Sequence, residues 1–176
     1  MRVLVIKTSS LGDVIHTLPA LTDAANIIDG ITFDWAVEEA FAEIPAWHPA
    51  VDEVIPVAIR RWRKQPLESL RGPEWKRCKR LLTRNHYDAV IDAQGLIKSA
   101  WLARYVQAPR WGYDKKSARE PLATLAYHHK VPVSRDLHAV ERIRQLFSQA
   151  LRYRLPETKG SYGLRAEDFA AHDASD

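Results

Sequence analysis

The sequence predicts an α/β sandwich built on a mainly parallel sheet. Two patterns predict it. Short strand-type apolar runs alternate along the chain with segments whose apolar residues recur at helical spacing. That alternation is what covers both faces of a parallel sheet with helices. The first run, residues 3–6, is apolar at every position between Arg2 and Lys7, as expected of a strand buried on both faces.

The elements follow in order. After residues 3–6 comes a polar turn, residues 8–13. Val14, Leu18, Leu21, Ala25 and Ile28 then share one helix face. Pro19 lies inside this pattern and should kink the helix or divide it into a first turn and a main body. Asp29 and Gly30 end it. Residues 31–37 alternate apolar and polar, a strand of period two. Residues 53–57 form a short third strand, with Pro56 marking its end or a sheet edge. Gly72, Pro73 and Glu74 start a helix whose buried face carries Trp75, Cys78 and Leu81 or Leu82. Residues 88–92 are a fourth strand, and Gly95 leads into an apolar-rich helix ending near Val106. Further helices are expected over residues 119–129 and 136–151, the latter capped by Asp136 with Val140, Ile143, Phe147 and Ala150 on one face. The pattern weakens from Pro156 onward, which reads as a linker. The expected domain is therefore residues 1–155, with residues 156–176 a linker or truncated tail.

The 176 residues suit one domain, and 46% apolar content is enough for a single core. No stretch approaches the roughly 20 apolar residues of a membrane helix. The N-terminus is too soon interrupted for a signal peptide and reads as a strand. One cysteine, Cys78, excludes an intramolecular disulfide and a multi-cysteine zinc site, and a reducing cytoplasm is the expected compartment. The net charge of +4 is unevenly spread: residues 1–59 carry 2 basic and 9 acidic groups, and residues 60–84 carry 10 and 2. A basic block of that density usually faces an anion.

Ligands of open parallel sheets lie at the carboxyl ends of the strands. The turn after Lys7, the loop after Val57 and the loop after Asp92 should therefore share one rim. The first turn, Lys-Thr-Ser-Ser-Leu-Gly-Asp, is neither a dinucleotide fingerprint nor a phosphate-binding Walker loop. It delivers Asp13 to a helix start. Asp13 reads either as a cap, a role Ser9 or Ser10 could share, or as a carboxylate held at the rim as a general base. Arg60, Arg61, Arg63 and Lys64 crowd around Trp62 straight after the third strand, which suits an anion site better than a solvated loop. Lys76, Arg77, Lys79, Arg80 and Arg84 read as a solvated helix face that could lie against anionic lipid. Gln94 and Gly95 suit either a tight turn or close approach to a ligand. Arg119 beside Glu120, and Arg142 beside Glu141, fit surface pairs as well as a site. The seven histidines show no metal spacing, and no metal is expected.

Residues 1–23 resemble the N-terminus of the ADP-heptose-dependent glycosyltransferases. Residues 57–64, 87–95, 117–122 and 138–142 extend the likeness, which runs to about residue 155. The resemblance implies the Rossmann-like N-terminal domain of a two-domain GT-B glycosyltransferase. This half would bind the acceptor, lipid A bearing Kdo sugars, at the cytoplasmic side of the bacterial inner membrane in contact with its anionic surface. The other half, which binds ADP-L-glycero-D-manno-heptose, would lie outside this chain, so no turnover is expected from it alone. The family inverts the anomeric centre without metal or other cofactor, ADP-heptose being a substrate. It places the proposed base at Asp13, a lysine near the base at Lys7, the basic acceptor loop at Arg60, Arg61, Arg63 and Lys64, and further acceptor cations at Arg119 and Arg142. The alternative is a non-catalytic basic module holding anionic lipid or nucleic acid. Nucleic acid is disfavoured, because the basic block lacks a reading motif and sits beside an acidic N-terminal third.

Overall fold

A computed structural model of the chain describes residues 1–165 and residue 167. Six strands form one sheet: β1 (Arg2–Ile6), β2 (Thr32–Glu38), β3 (Val51–Val57), β4 (Ala89–Asp92), β5 (Arg110–Tyr113) and β6 (His129–Val131). Their order is β3-β2-β1-β4-β5-β6 and every neighbouring pair is parallel. The helices are α1 (Leu11–Ile15), α2 (Leu18–Ile27), α3 (Glu43–Ala46), α4 (Ile59–Trp62), α5 (Pro66–Arg71), α6 (Pro73–Arg84), α7 (Ile97–Ala103) and α8 (Ala139–Leu151).

The pleat of β1 shows why the sheet is central. Val3 and Val5 point into a core with Leu18 and Leu21 of α2 and Ile143 and Phe147 of α8. Leu4 and Ile6 point to the other face, among Trp75, Cys78 and Leu82 of α6 and Leu102 of α7. All four are fully buried, so the apolar run serves two cores at once. Pro19 falls in the first turn of α2, where its missing N–H would have had no partner, and the chain breaks there into α1 and α2. β3 is an edge strand, as Pro56 suggested. Between α2 and α8, Arg144 lies buried with its guanidinium paired to Asp23 at 2.7 Å. Cys78 is buried, and its surroundings push the thiol up to about 12.

Three expectations are corrected. Residues 119–129 are not a helix. They form a 3-10 turn over Pro121–Ala126 that leads into β6. Ala123, Ala126 and Tyr127 pack beside Ala100 of α7, and the His129 ring stacks on Trp111 of β5 at 4.1 Å, which favours pairing to β5 over continued helix. The cap of α8 is His138, whose Nδ1 accepts from the Val140 amide; Asp136 stands two residues too early. The basic stretch after β3 is no loop but α4, followed by α5. Over residues 153–165 the chain runs without regular structure, and Tyr153 and Leu164 pack against the α2–α8 core. The part of the expected tail beyond residue 165, residue 167 excepted, lies outside the described residues.

Candidate active site

The strand order reverses between β1 and β4, and the carboxyl ends of these two strands open the crevice where doubly wound sheets bind ligands. Lys7, the first residue past β1, is only 8% exposed. Its Nζ donates to the Ala93 carbonyl at 3.1 Å, which ties the two strand ends together. Burial pulls the Lys7 ammonium below the usual lysine range. Nearby Asp13 and Asp92 pull it up, while Arg142 and Arg119 reinforce the depression.

A small pocket of about 130 Å³ opens over Lys7, lined also by Ser9, Asp13, Gln94, Arg119 and Arg142. Asp13 reaches it from the first turn of α1. Its Oδ2 accepts from the Ser10 amide at 3.3 Å and the Ser10 hydroxyl at 3.1 Å. Arg142 enters from the first turn of α8. It donates to the Ser117 carbonyl at 2.6 Å and lies over the Tyr113 ring at 4.8 Å. Arg119 is exposed at the pocket mouth and makes no hydrogen bond or ion pair among the described residues. Neither arginine pairs with the acid beside it: Glu141 holds Arg144, and Glu120 accepts the Ile97 amide.

The turn after β4 is locked from beneath. Asp92 is fully buried and accepts from Tyr127, from Ser99 at 2.9 Å and from the Gln94 amide at 3.0 Å. Burial raises its pKa, and these donors oppose the rise. Gln94 Oε1 in turn accepts both the amide and the hydroxyl of Thr8 at 2.7 Å. Gly95 has φ +68°, and a Cβ there would come 3.3 Å from the Tyr113 ring, so glycine fits both the conformation and the space.

The basic stretch is placed by an acid at the end of β2. Glu38, buried, accepts the amides of Ile59 and Arg60 at 3.3 and 3.2 Å, fixing the start of α4. Arg61 turns to Glu39 at 3.2 Å and Glu74 at 2.6 Å. The side chains of Arg60, Arg63 and Lys64 are exposed and make no hydrogen bond or ion pair among the described residues. They do not line the Asp13 pocket. Arg63 instead borders an adjoining groove, which shares Leu96 with that pocket. Lys98 links the two: it lines the groove and donates to Ser9 at 3.1 Å. Glu38, Lys98, Tyr113 and Ser117 were not singled out from the sequence. Only Lys98, three residues past Gly95 on the rim turn, left a signal there.

The arrangement offers a carboxylate and a buried lysine at a strand-end crevice, with arginines converging above them. The family model for glycosyltransferase family 9 (heptosyltransferase) matches residues 75–175. The chain belongs to glycosyltransferase family 9. Within that family it is 66% identical to lipopolysaccharide heptosyltransferase 1 of Pseudomonas aeruginosa, over 98% of this chain and 49% of that protein. The Escherichia coli K12 protein of the same name is 53% identical over 100% of this chain and 55% of its own length. The solved structure of E. coli heptosyltransferase WaaC with ADP-2-deoxy-2-fluoro heptose superposes with a TM-score of 0.91 at 53% identity, covering 97% of this chain and 54% of that one. The chain thus spans about half the length of the curated relatives it matches. Its all-parallel six-stranded sheet matches the GT-B fold expected from the sequence. Among the described residues of this family 9 chain, no group of three or more His, Cys, Asp or Glu side chains could hold a metal.

Proposed function

We propose that this chain is the acceptor-binding part, residues 1–155, of an inverting heptosyltransferase that moves L-glycero-D-manno-heptose from ADP-heptose to Kdo-bearing lipid A. The names of its relatives support the reaction class. The observation that carries the reading is Asp13 in the strand-end pocket beside Lys7, Arg119 and Arg142. The Kdo carboxylates supply anions for those arginines, and a Kdo hydroxyl lies over Asp13.

In the step proposed, that hydroxyl oxygen attacks the anomeric carbon of ADP-heptose from the face opposite the diphosphate. A carbon–oxygen bond forms, the bond to the diphosphate breaks, and ADP leaves with the electron pair. The hydroxyl proton becomes acidic as the new bond forms and passes to Asp13. Inversion needs this one base and no carboxylate nucleophile, by analogy with inverting hydrolases. The residues that hold ADP-heptose would belong to the other half of the relatives' length, and no metal or cofactor takes part. The enzyme would work at the cytoplasmic face of the inner membrane, where its lipid acceptor lies; nucleic acid is not a partner. A non-catalytic basic module would leave the Asp13 pocket without a role.

The test is Asp13→Asn in a polypeptide extended to the length of the relatives. Asparagine keeps the shape and the bonds from Ser10 but accepts no proton. The expected result is kcat lower by about 100-fold or more, since positioned proton transfer contributes roughly 10²–10⁴-fold, with acceptor KM and melting temperature little changed. Near-normal kcat with a much lower melting temperature would make Asp13 a helix cap only.

A further inference from the structure

Asp13 stands on α1, which has five residues and buries one side chain, Val14. Leu11 and Gly12 are exposed. The packing of α1 itself therefore does little to fix the carboxylate. On the far side, the Thr17 hydroxyl donates to the Asp13 carbonyl at 2.9 Å. On the near side, the turn of residues 8–10 sets where α1 begins, and a side chain from another strand end holds that turn. Thr8 is fully buried, and its amide and its hydroxyl both donate to Gln94 Oε1 at 2.7 Å. An amide N–H can only donate, so the Gln94 atom facing it is the oxygen, which turns Nε2 toward the Ser9 hydroxyl at 3.5 Å. Lys98 donates to the same hydroxyl at 3.1 Å.

Gln94 can hold the turn because its own backbone is anchored. The amides of Gln94 and Gly95 donate to Asp92 Oδ1 at 3.0 and 3.4 Å. The other oxygen of Asp92 accepts from Ser99 at 2.9 Å and from Tyr127. A fully buried carboxylate needs such donors, and each of them is costly to lose, so residues 92–95 form a rigid shelf. β1 and β4 pair with Ile6 opposite Asp92, which sets Gln94 level with Thr8. β2 supports only the carbonyls of the turn. Trp35 Nε1 donates to the Lys7 carbonyl at 3.0 Å, and the Glu38 amide donates to the Thr8 carbonyl at 3.0 Å. The two Thr8 donors are left to Gln94. Gln94 also lines the Asp13 pocket, but its oxygen is already taken by both bonds from Thr8.

We infer that Gln94 is a positioning residue for Asp13: its side-chain oxygen clamps Thr8, and the clamped turn sets the place of the carboxylate in the pocket. The inference rests on the reading of Asp13 as the base, and Gln94 acts through Asp13 without touching the sugars. A base must stand about 3 Å from the hydroxyl it serves, and a misplacement of about 1 Å can cost on the order of 100-fold. Loss of the clamp should therefore lower kcat and leave substrate binding nearly unchanged. A direct contact of Gln94 with acceptor or donor would instead show as a raised KM.

The test begins on this chain alone, by amide hydrogen exchange of Gln94→Leu, which keeps much of the bulk but accepts no hydrogen bond. The Thr8 amide should exchange about tenfold faster. The Lys7 amide, bonded to the Ala36 carbonyl at 3.3 Å, should not change, which marks the opening as local. Gln94→Glu keeps both acceptor bonds and should restore slow exchange at Thr8. In a polypeptide extended to the relatives' length, Gln94→Leu should lower kcat by about 10–100-fold with both KM values little changed, and Gln94→Glu should recover most of the loss. Added to Asp13→Asn, Gln94→Leu should cause no further loss, because both act on the same proton transfer. If Gln94→Leu does not fold, the shorter Gln94→Asn should open the Thr8 amide and lower kcat in the same way. Unchanged Thr8 exchange would overturn the inference. So would a raised KM at normal kcat, no recovery in Gln94→Glu, or losses that add to those of Asp13→Asn. Normal kcat in Gln94→Leu beside an inactive Asp13→Asn would reject Gln94 and leave the base standing. Near-normal kcat in Asp13→Asn would reject the base, and the role of Gln94 with it.

Discussion

Asp13 uses one oxygen as a cap and keeps the other free. Oδ2 takes both bonds from Ser10, while Oδ1 has no hydrogen-bond partner among the described residues. The cap reading is therefore formed in the structure, and the free Oδ1 is the oxygen that the proposed base role would use. That residue was legible because a strand, a tight turn and a helix start fix its place from sequence alone. Glu38 was not, because its role depends on the amides of residues 59 and 60, more than 20 positions away, and Lys98 left only its place on the rim turn as a signal. A different residue, His48, should contribute to the acid sensitivity of the fold. His48 is buried; its Nδ1 accepts the Ala50 amide at 3.1 Å, which leaves Nε2–H facing Thr22 Oγ1 at 2.8 Å. Protonating Nδ1 breaks the first bond, and burial pushes the imidazole down to about 4. The folded pKa lies below the unfolded value of 6.5, so the unfolded chain binds more protons between the two. The stability from neutral His48 is complete above about pH 6.5 and is lost as pH falls toward 4, roughly 3 kcal/mol in all at about 1.36 kcal/mol per unit. Urea melts of the native chain and of His48→Asn at pH 7 and pH 4.5 should show the native chain losing more stability between the two. Equal losses would remove His48 as the cause.

At the scale of elements, reliability followed length and burial. α6 and α8, of 12 and 13 residues, carry enough turns for a helical period to show. α4 and α5 have 4 and 6 residues, and β6 has 3, too few for any period to register. β5 reads Arg-Trp-Gly-Tyr, where an arginine and a glycine hide the strand. Folding the basic stretch into α4 also divides its cations, because successive helical residues face different ways. Arg61 is turned to Glu39 and Glu74, and Arg60 and Arg63 remain unpaired. Arg60→Ala with Arg63→Ala should therefore weaken binding of a Kdo-bearing lipid A fragment by tenfold or more and flatten its salt dependence. Arg61→Ala should weaken it less than threefold. Calorimetric titration at two salt concentrations separates them, and equal losses from the double and the single variant would show that Arg61 leaves its carboxylates to meet the ligand.

On the scale of the whole molecule, one sheet carries two cores, and this decides how the chain unfolds. The alternating residues of β1 serve both faces, so neither helical layer can leave without exposing strands that the other layer also needs. The two layers should melt as one unit. Arg144→Met acts on the α2–α8 face. It leaves Asp23 buried without its cation and should cost about 3–5 kcal/mol. Trp75→Ala acts on the opposite face, where it empties the aromatic stack of α6 and α7, and should cost a similar 3–5 kcal/mol. For a chain of this size each kcal/mol moves the midpoint by about 2–4 °C, so either change should lower it by roughly 10 °C. Helical circular dichroism and aromatic circular dichroism should fall together in both variants, because each loss is transmitted through β1 and β4. If Trp75→Ala instead split the melt into two steps, with helical signal persisting beyond the aromatic one, the layers would be independent and the sheet would not couple the Asp13 crevice to the groove face.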